Sequence, residues 1–319
     1  IQFQIQKDSN NLNGTIPTEL LGFAQLNMLT LGFGLHGTLP SELGDMSALT
    51  YLQLFGHSIT GTIPSTWNRL YFQVINLYDN LLTGTIPADL FKEKSQIQYI
   101  VMTQNQFTGP LPEITNQSAI LFLSFDMNLF TGTIPQVYFQ QDSLFLLGLS
   151  DNLLTGSISN QIRDLRGLSS FYGSLNSFNG TIVEDLSPLR DLQEYLVADN
   201  DLTGTIPSSI ASLALLTNLS LAGNHLIGTL PTELGTMTNL INFNVSNNEL
   251  TGSLPTLYVQ MTSLLELDVS RTKLVGGLEE SFCALQVLST TIAADCLGYP
   301  TARINCSCCS SCCDDEVCE

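Results

Sequence analysis

The chain has 319 residues, and 29 Asp or Glu against 10 Lys or Arg leave a formal net charge of −19. Such a balance excludes a surface built for the nucleic-acid backbone or an anionic membrane. No apolar run approaches the roughly 18 residues of a membrane-spanning helix, so no transmembrane segment is read here. A cationic peptide suits the acidic surface, and solubility alone accounts for it.

Along the chain, Ile1 to Lys7 alternates apolar and polar residues as a strand does, with capping sequence expected ahead of it. From Leu12 onward one phrase, apolar–x–Gly–x–apolar and usually a closing Pro, returns twelve times at steps of 23 to 25 residues. Its glycines are Gly14, Gly37, Gly61, Gly84, Gly109, Gly132, Gly156, Gly180, Gly204, Gly228, Gly252 and Gly276. A fixed period in this range predicts a solenoid of stacked units. In the fourth repeat Ile75 and Leu77 alternate with polar or aromatic neighbours, predicting a strand with one buried face. An Asn stands four residues before the Gly in nine of twelve repeats, as at Asn80, Asn128 and Asn200. Stacked carboxamides there satisfy backbone groups of adjacent turns. Gly permits positive φ, and nine of the twelve prolines fall at one phase three residues later. Ile210, Leu213 and Leu216, or Leu234, Met237 and Leu240, then predict short helical or 3₁₀ segments.

The phrase L-x-x-L-x-L-x-x-N-x-L-x-G-x-I-P resembles plant-type leucine-rich repeats, as in receptor-kinase ectodomains, receptor-like proteins and polygalacturonase inhibitors. The resemblance covers residues 1–282. It implies an α/β repeat solenoid, a right-handed superhelix with a parallel β-sheet on the concave face, a second shorter sheet, and short helical or 3₁₀ segments on the convex side. Some repeats depart from the pattern. His57 and Thr272 stand in place of the ladder Asn, the second repeat is a residue short near Phe33-Gly34, Ser159, Val183 and Glu279 replace the Pro, and Gly173 replaces a large core residue. Drift tolerated by neighbours is the expected account of these, with a functional kink near Gly173 as the alternative. A Thr recurs just after the Gly (Thr15, Thr38, Thr62, Thr85, Thr133, Thr181, Thr205, Thr229), and it reads as turn chemistry rather than as an ice-binding row.

Strand alternation allows the concave face to be read. Its N-terminal half is expected to present Phe33, Tyr51, Phe55, Tyr78, Tyr99 and Phe122, with Tyr172 further on. Exposed aromatics rimmed by polar groups mark contact sites, although neighbouring rings also stack merely to stabilise a sheet. Interleaved Asp79, Asp126 and Asp151 favour a basic peptide or a hydroxyl-rich glycan. The C-terminal half is amide-lined, through Asn218, Ser220, Asn242, Asn244 and Ser246. Its carboxylates (Glu194, Asp199, Glu266, Asp268) follow no recognised calcium-loop spacing, so no metal or other cofactor is expected. His36, His57 and His225 lie in separate repeats outside any nucleophile motif, and no enzyme is expected.

All eight cysteines fall in a distinct tail, residues 283–319: Cys283, Cys296, Cys306, Cys308, Cys309, Cys312, Cys313 and Cys318. An even number beside an exposed terminal coil is expected to form a disulfide-rich cap, and sequence cannot choose among on the order of a hundred connectivities. Zinc bound at Cys308-Cys309-Ser310-Ser311-Cys312-Cys313 is the rival. The tail is similar to that of secreted leucine-rich repeat proteins of diatoms and related algae. Glycosylation sequons at Asn13, Asn116, Asn179, Asn218, Asn244 and Asn305 agree with a secreted or cell-surface location. The expectation is thus a non-catalytic extracellular recognition module for a peptide, glycan or protein. A structural or adhesive wall, matrix or filament component, with self-assembly, and an inhibitor of a secreted enzyme are the alternatives.

Overall fold

The computed structural model describes residues 3–7, 13–114, 119–277, 291–294, 304–305 and 311–312. The chain forms two compact units, Ile1–Thr155 and Gly156–Glu319, each a stack of such repeats. In the first unit Phe3–Lys7, Leu26–Gly32, Tyr51–Phe55, Val74–Asn76, Tyr99–Val101, Phe122–Ser124 and Leu146–Gly148 follow one another in a parallel first sheet. In the second unit Ser170–Tyr172, Glu194–Leu196, Asn218–Ser220, Asn242–Asn244 and Glu266–Asp268 do the same. Thr291–Ala294 and then Ser311–Cys312 continue that sheet in parallel beyond Glu266–Asp268. Shorter parallel strands such as Ser58–Gly61, Leu81–Gly84 and Gln106–Pro110 make the second sheet.

The repeat phrase explains both sheets. One face of the repeat strands in the first sheet is buried, for example Leu52, Ile75, Ile100 and Leu123. The chain then turns through a residue held at positive φ, including Asp79 at 56°, Leu175 at 56° and Arg271 at 53°. Next comes the ladder Asn. Asn80 Nδ2 donates to the Leu54 carbonyl of the preceding repeat at 2.8 Å, while its Oδ1 accepts the Ile59 N–H of that repeat at 3.3 Å. Asn128, Asn152, Asn224 and Asn248 repeat both bonds. Buried amide groups between turns are thereby paired.

His57 does the same job with a ring. Its Nδ1 accepts from the Leu35 N–H at 3.2 Å, and Nε2 lies 2.9 Å from the Leu31 carbonyl. Only the neutral Nε2–H tautomer makes both bonds. Thr272 closes its turn locally, donating to the Val269 carbonyl at 2.8 Å.

The Gly–Thr pair is a packing unit across repeats. Gly84 has φ +76°, and a Cβ there would meet the Thr62 methyl at 2.8 Å. The recurring Thr therefore covers the next repeat's Gly, as turn chemistry requires. Seven of the Pro residues precede a 3₁₀ turn, such as Ser41–Asp45 after Pro40 and Ser208–Ser212 after Pro207. Ser159 substitutes by capping Asn160–Asp164, its side chain accepting from the Gln161 N–H at 3.2 Å. At Gly173 the missing side chain is replaced by rings, since a Cβ there would lie 3.2 Å from Phe171 and 3.4 Å from Phe178. Ladder bonds run through it, with Gly173 N–H on the Leu196 carbonyl at 2.7 Å and Asn200 on its own carbonyl at 2.9 Å.

Large aromatics in the core find polar partners at the turns. Trp67 Nε1, the Tyr138 hydroxyl and the Tyr258 hydroxyl each donate to the carbonyl of Pro40, Pro112 and Pro231, one repeat back. The fully buried Tyr195 hydroxyl has no partner among the described residues.

Candidate functional site

Equivalent residues of the first unit's first sheet stand opposite one another, so each outward position becomes a row. One row runs Met28, Tyr51, Val74, Tyr99, Phe122, Leu146. The next runs Thr30, Gln53, Asn76, Val101, Ser124, Gly148. Tyr99 and Phe122 stack with centroids 5.0 Å apart, and Phe122 meets Phe145 at 5.6 Å. Phe33 and Phe55 form an edge-to-face pair at 5.8 Å. Tyr51, Phe55, Tyr99 and Phe122 are half-buried, whereas Phe33, Tyr78 and Phe145 are 52%, 40% and 44% exposed. The rings thus form an apolar surface that remains open to a partner.

The three acids differ in freedom. Asp79 and Asp151 occupy the positive-φ turn position, which short polar side chains tolerate better than most. Asp79 accepts from Gln104 Nε2 at 2.8 Å, and Asp151 is exposed. Asp126 lies in the sheet face instead, accepting from the Ser124 hydroxyl at 2.9 Å and the Ser150 N–H at 2.8 Å. Its carboxylate fills the space above Gly148, where any Cβ would collide with it. Burial pushes its pKa up, and these hydrogen bonds only partly oppose the shift.

Tyr172 belongs to the second unit, where its hydroxyl donates to Glu194. It joins a polar ladder there rather than the aromatic rows. The sequence reading did not single out Phe145, Met28 or Leu146. Register is the signal that finds Met28 and Leu146, which stand opposite Tyr51 and Phe122, whereas Phe145 reaches Phe122 only through its ring. His36 and His225 are exposed, with His225 3.8 Å from Asp201. Asn13 and Asn179 are exposed, whereas Asn218 and Asn244 are half-buried in strands. The disulfide reading of the eight cysteines and the sequons at Asn116 and Asn305 fall outside the residues whose side chains are described.

Comparison with known proteins places this geometry. A leucine-rich repeat profile matches residues 215–237. No curated protein matches the chain. Among solved structures, the PEPR1–AtPEP1 complex matches with 28% identity and a TM-score of 0.78, over 92% of this chain and 45% of that one. The ectodomain of the Arabidopsis receptor kinase HAESA, in complex with an extended IDA peptide hormone, matches with 28% identity and a TM-score of 0.82, over 86% and 47%. A plant ice-binding protein shares the fold alone, with 20% identity and a TM-score of 0.56 over 91% and 84%. The chain spans about half the length of the two receptors. Among the described residues no helix is long and apolar enough to cross a membrane.

Proposed function

We propose that this leucine-rich repeat protein, similar to plant receptor-kinase ectodomains, is a non-catalytic extracellular recognition module that takes a peptide on the first unit's strand face. The observation that carries the reading is the open aromatic row, with Tyr99, Phe122 and Phe145 in contact and Phe33 against Phe55. Clustered aromatics supply most of the binding energy in protein interfaces. The HAESA ectodomain structure it resembles holds a peptide hormone. No Lys or Arg stands in the outward rows of these strands, while Asp79 and Asp151 border them, so the fitting ligand is apolar with basic flanks.

The test is a display library of linear peptides, selected against the whole chain and measured by calorimetry. A selected peptide should be enriched in apolar and basic residues, and Phe122→Ala should weaken it about 30-fold, the effect of a hot-spot residue worth roughly 2 kcal/mol. Asp79→Asn and Asp151→Asn should mainly slow association and reduce its salt dependence. Peptides whose binding ignores Phe122→Ala and Tyr99→Ala would remove this face from consideration. A concentration-dependent ladder of oligomers without any selected peptide would favour the adhesive alternative.

A further inference from the structure

We infer that the first-sheet face of the second unit is a separate binding site for a neutral oligosaccharide. Two outward rows make it. One runs Ser170, Glu194, Asn218, Asn242, Glu266, and the other Tyr172, Leu196, Ser220, Asn244, Asp268. Side chains of the first row are wired in sequence across the strands. Asn242 Nδ2 donates to Asn218 Oδ1 at 2.8 Å, and Asn218 Nδ2 donates to Glu194 Oε1 at 3.0 Å. Glu194 Oε2 accepts from Ser170 at 3.3 Å and from the Tyr172 hydroxyl. In the second row Asn244 and Asp268 are each clamped by the residue two ahead, Oδ1 accepting the N–H at 3.0 Å and the hydroxyl at 2.7 Å of Ser246 and Ser270.

This wiring fixes the polar groups without exhausting them. A carboxamide has two N–H donors and two acceptor lone pairs, and the chain uses one N–H each of Asn218 and Asn242. What remains are paired donors and acceptors at fixed spacing, the complement of vicinal hydroxyls on a sugar ring. Neighbouring strands advance about 4.8 Å, close to the step per residue of an extended β-linked glycan laid across them. Tyr172 and Leu196 end the rows with apolar surface suited to the C–H face of a pyranose. Charge selects the class. Neither row contains Lys or Arg, and Glu194, Glu266 and Asp268 repel uronic or sulfated sugars. A peptide finds no cluster of stacked aromatics like that of the first unit.

The site requires that Asn218 and Asn244, each in a sequon, carry no glycan. Asn218 Nδ2 is already bonded to Glu194, and Asn244 Oδ1 holds the Ser246 hydroxyl.

The experiment titrates cellohexaose, laminarihexaose and chitohexaose into the whole chain by calorimetry. At least one should bind, Asn242→Leu and Ser220→Tyr should each weaken it by tenfold or more, and Phe122→Ala should leave it unchanged. Circular dichroism melts establish that each variant folds. Ser220→Tyr obstructs the rows without breaking the wired chain, so the test survives a misfolded Asn242→Leu. The inference is overturned if no hexaose binds at millimolar concentration. It is equally overturned if Phe122→Ala abolishes binding, or if peptide mapping finds a glycan on Asn218 or Asn244. Peptide binding to the first unit is measured separately, so either proposal can fail alone.

Discussion

His57 offers the most discriminating test of how the repeats are held together. It is buried, and its ring replaces a ladder Asn by accepting the Leu35 N–H and donating to the Leu31 carbonyl. Truncation to Ala leaves both backbone groups inside the stack without partners. Each unsatisfied buried group costs about 1–3 kcal/mol, so His57→Ala should destabilise the first unit by roughly 2–4 kcal/mol once some water entry is allowed for. His57→Asn should restore both bonds and stay within about 1 kcal/mol of the parent, since typical hydrogen bonds are worth that much.

The ring also makes stability depend on pH. Burial holds the imidazole below its ordinary value of 6.5, with the bond to the Leu31 carbonyl opposing the shift. Between those two values the unfolded chain binds the extra proton and the folded chain does not. The stability due to neutral His57 is therefore full above about pH 6.5 and is lost as pH falls toward the folded value. Hydrogen exchange at the Leu35 amide, followed by mass spectrometry from pH 7.5 to 5, reads this locally. That suits a repeat array in which unfolding need not be two-state. After correction for intrinsic exchange, protection should fall with acid in the parent and vanish in His57→Ala, and His57→Asn should hold it level. An acid response that persists in His57→Asn, or a His57→Ala chain as protected as the parent, would refute the reasoning.

Tyr195→Phe should stabilise the second unit by about 1 kcal/mol in chemical denaturation, because it removes a buried hydroxyl that has no partner among the described residues. A loss of stability would show that the hydroxyl is satisfied. Gly84→Ala should cost about 2 kcal/mol, combining positive φ with collision against the Thr62 methyl. Adding Thr62→Ser should recover only the collision, so full recovery would deny the backbone contribution. Leu175→Gly should raise the melting temperature slightly, by an equivalent of about 0.5–1 kcal/mol, because the left-handed conformation is strained for Leu. A lower melting temperature would show that its side chain contributes more than the strain costs.

Much of the architecture follows from sequence alone because every repeat meets the same two neighbours. The period of Gly14 to Gly276, the Asn before each turn and the Pro after it are each required once per turn of the stack, so each recurs at a readable phase. The same logic places Tyr51, Tyr99 and Phe122 on one face, since alternation in a strand needs only local information. Contacts between side chains some two dozen residues apart were beyond it. His57 reads as a departure from the pattern, yet it performs the missing Asn's function, because a ring with one donor and one acceptor spans the same two backbone groups. Asp126 reads as a free charge, but Gly148 in the next strand leaves room for its carboxylate to settle into the sheet. Tyr172 reads as another exposed aromatic, while Glu194 one strand away claims its hydroxyl. Periodicity determines which position a residue holds in the repeat, and only the stacked structure decides what stands beside it.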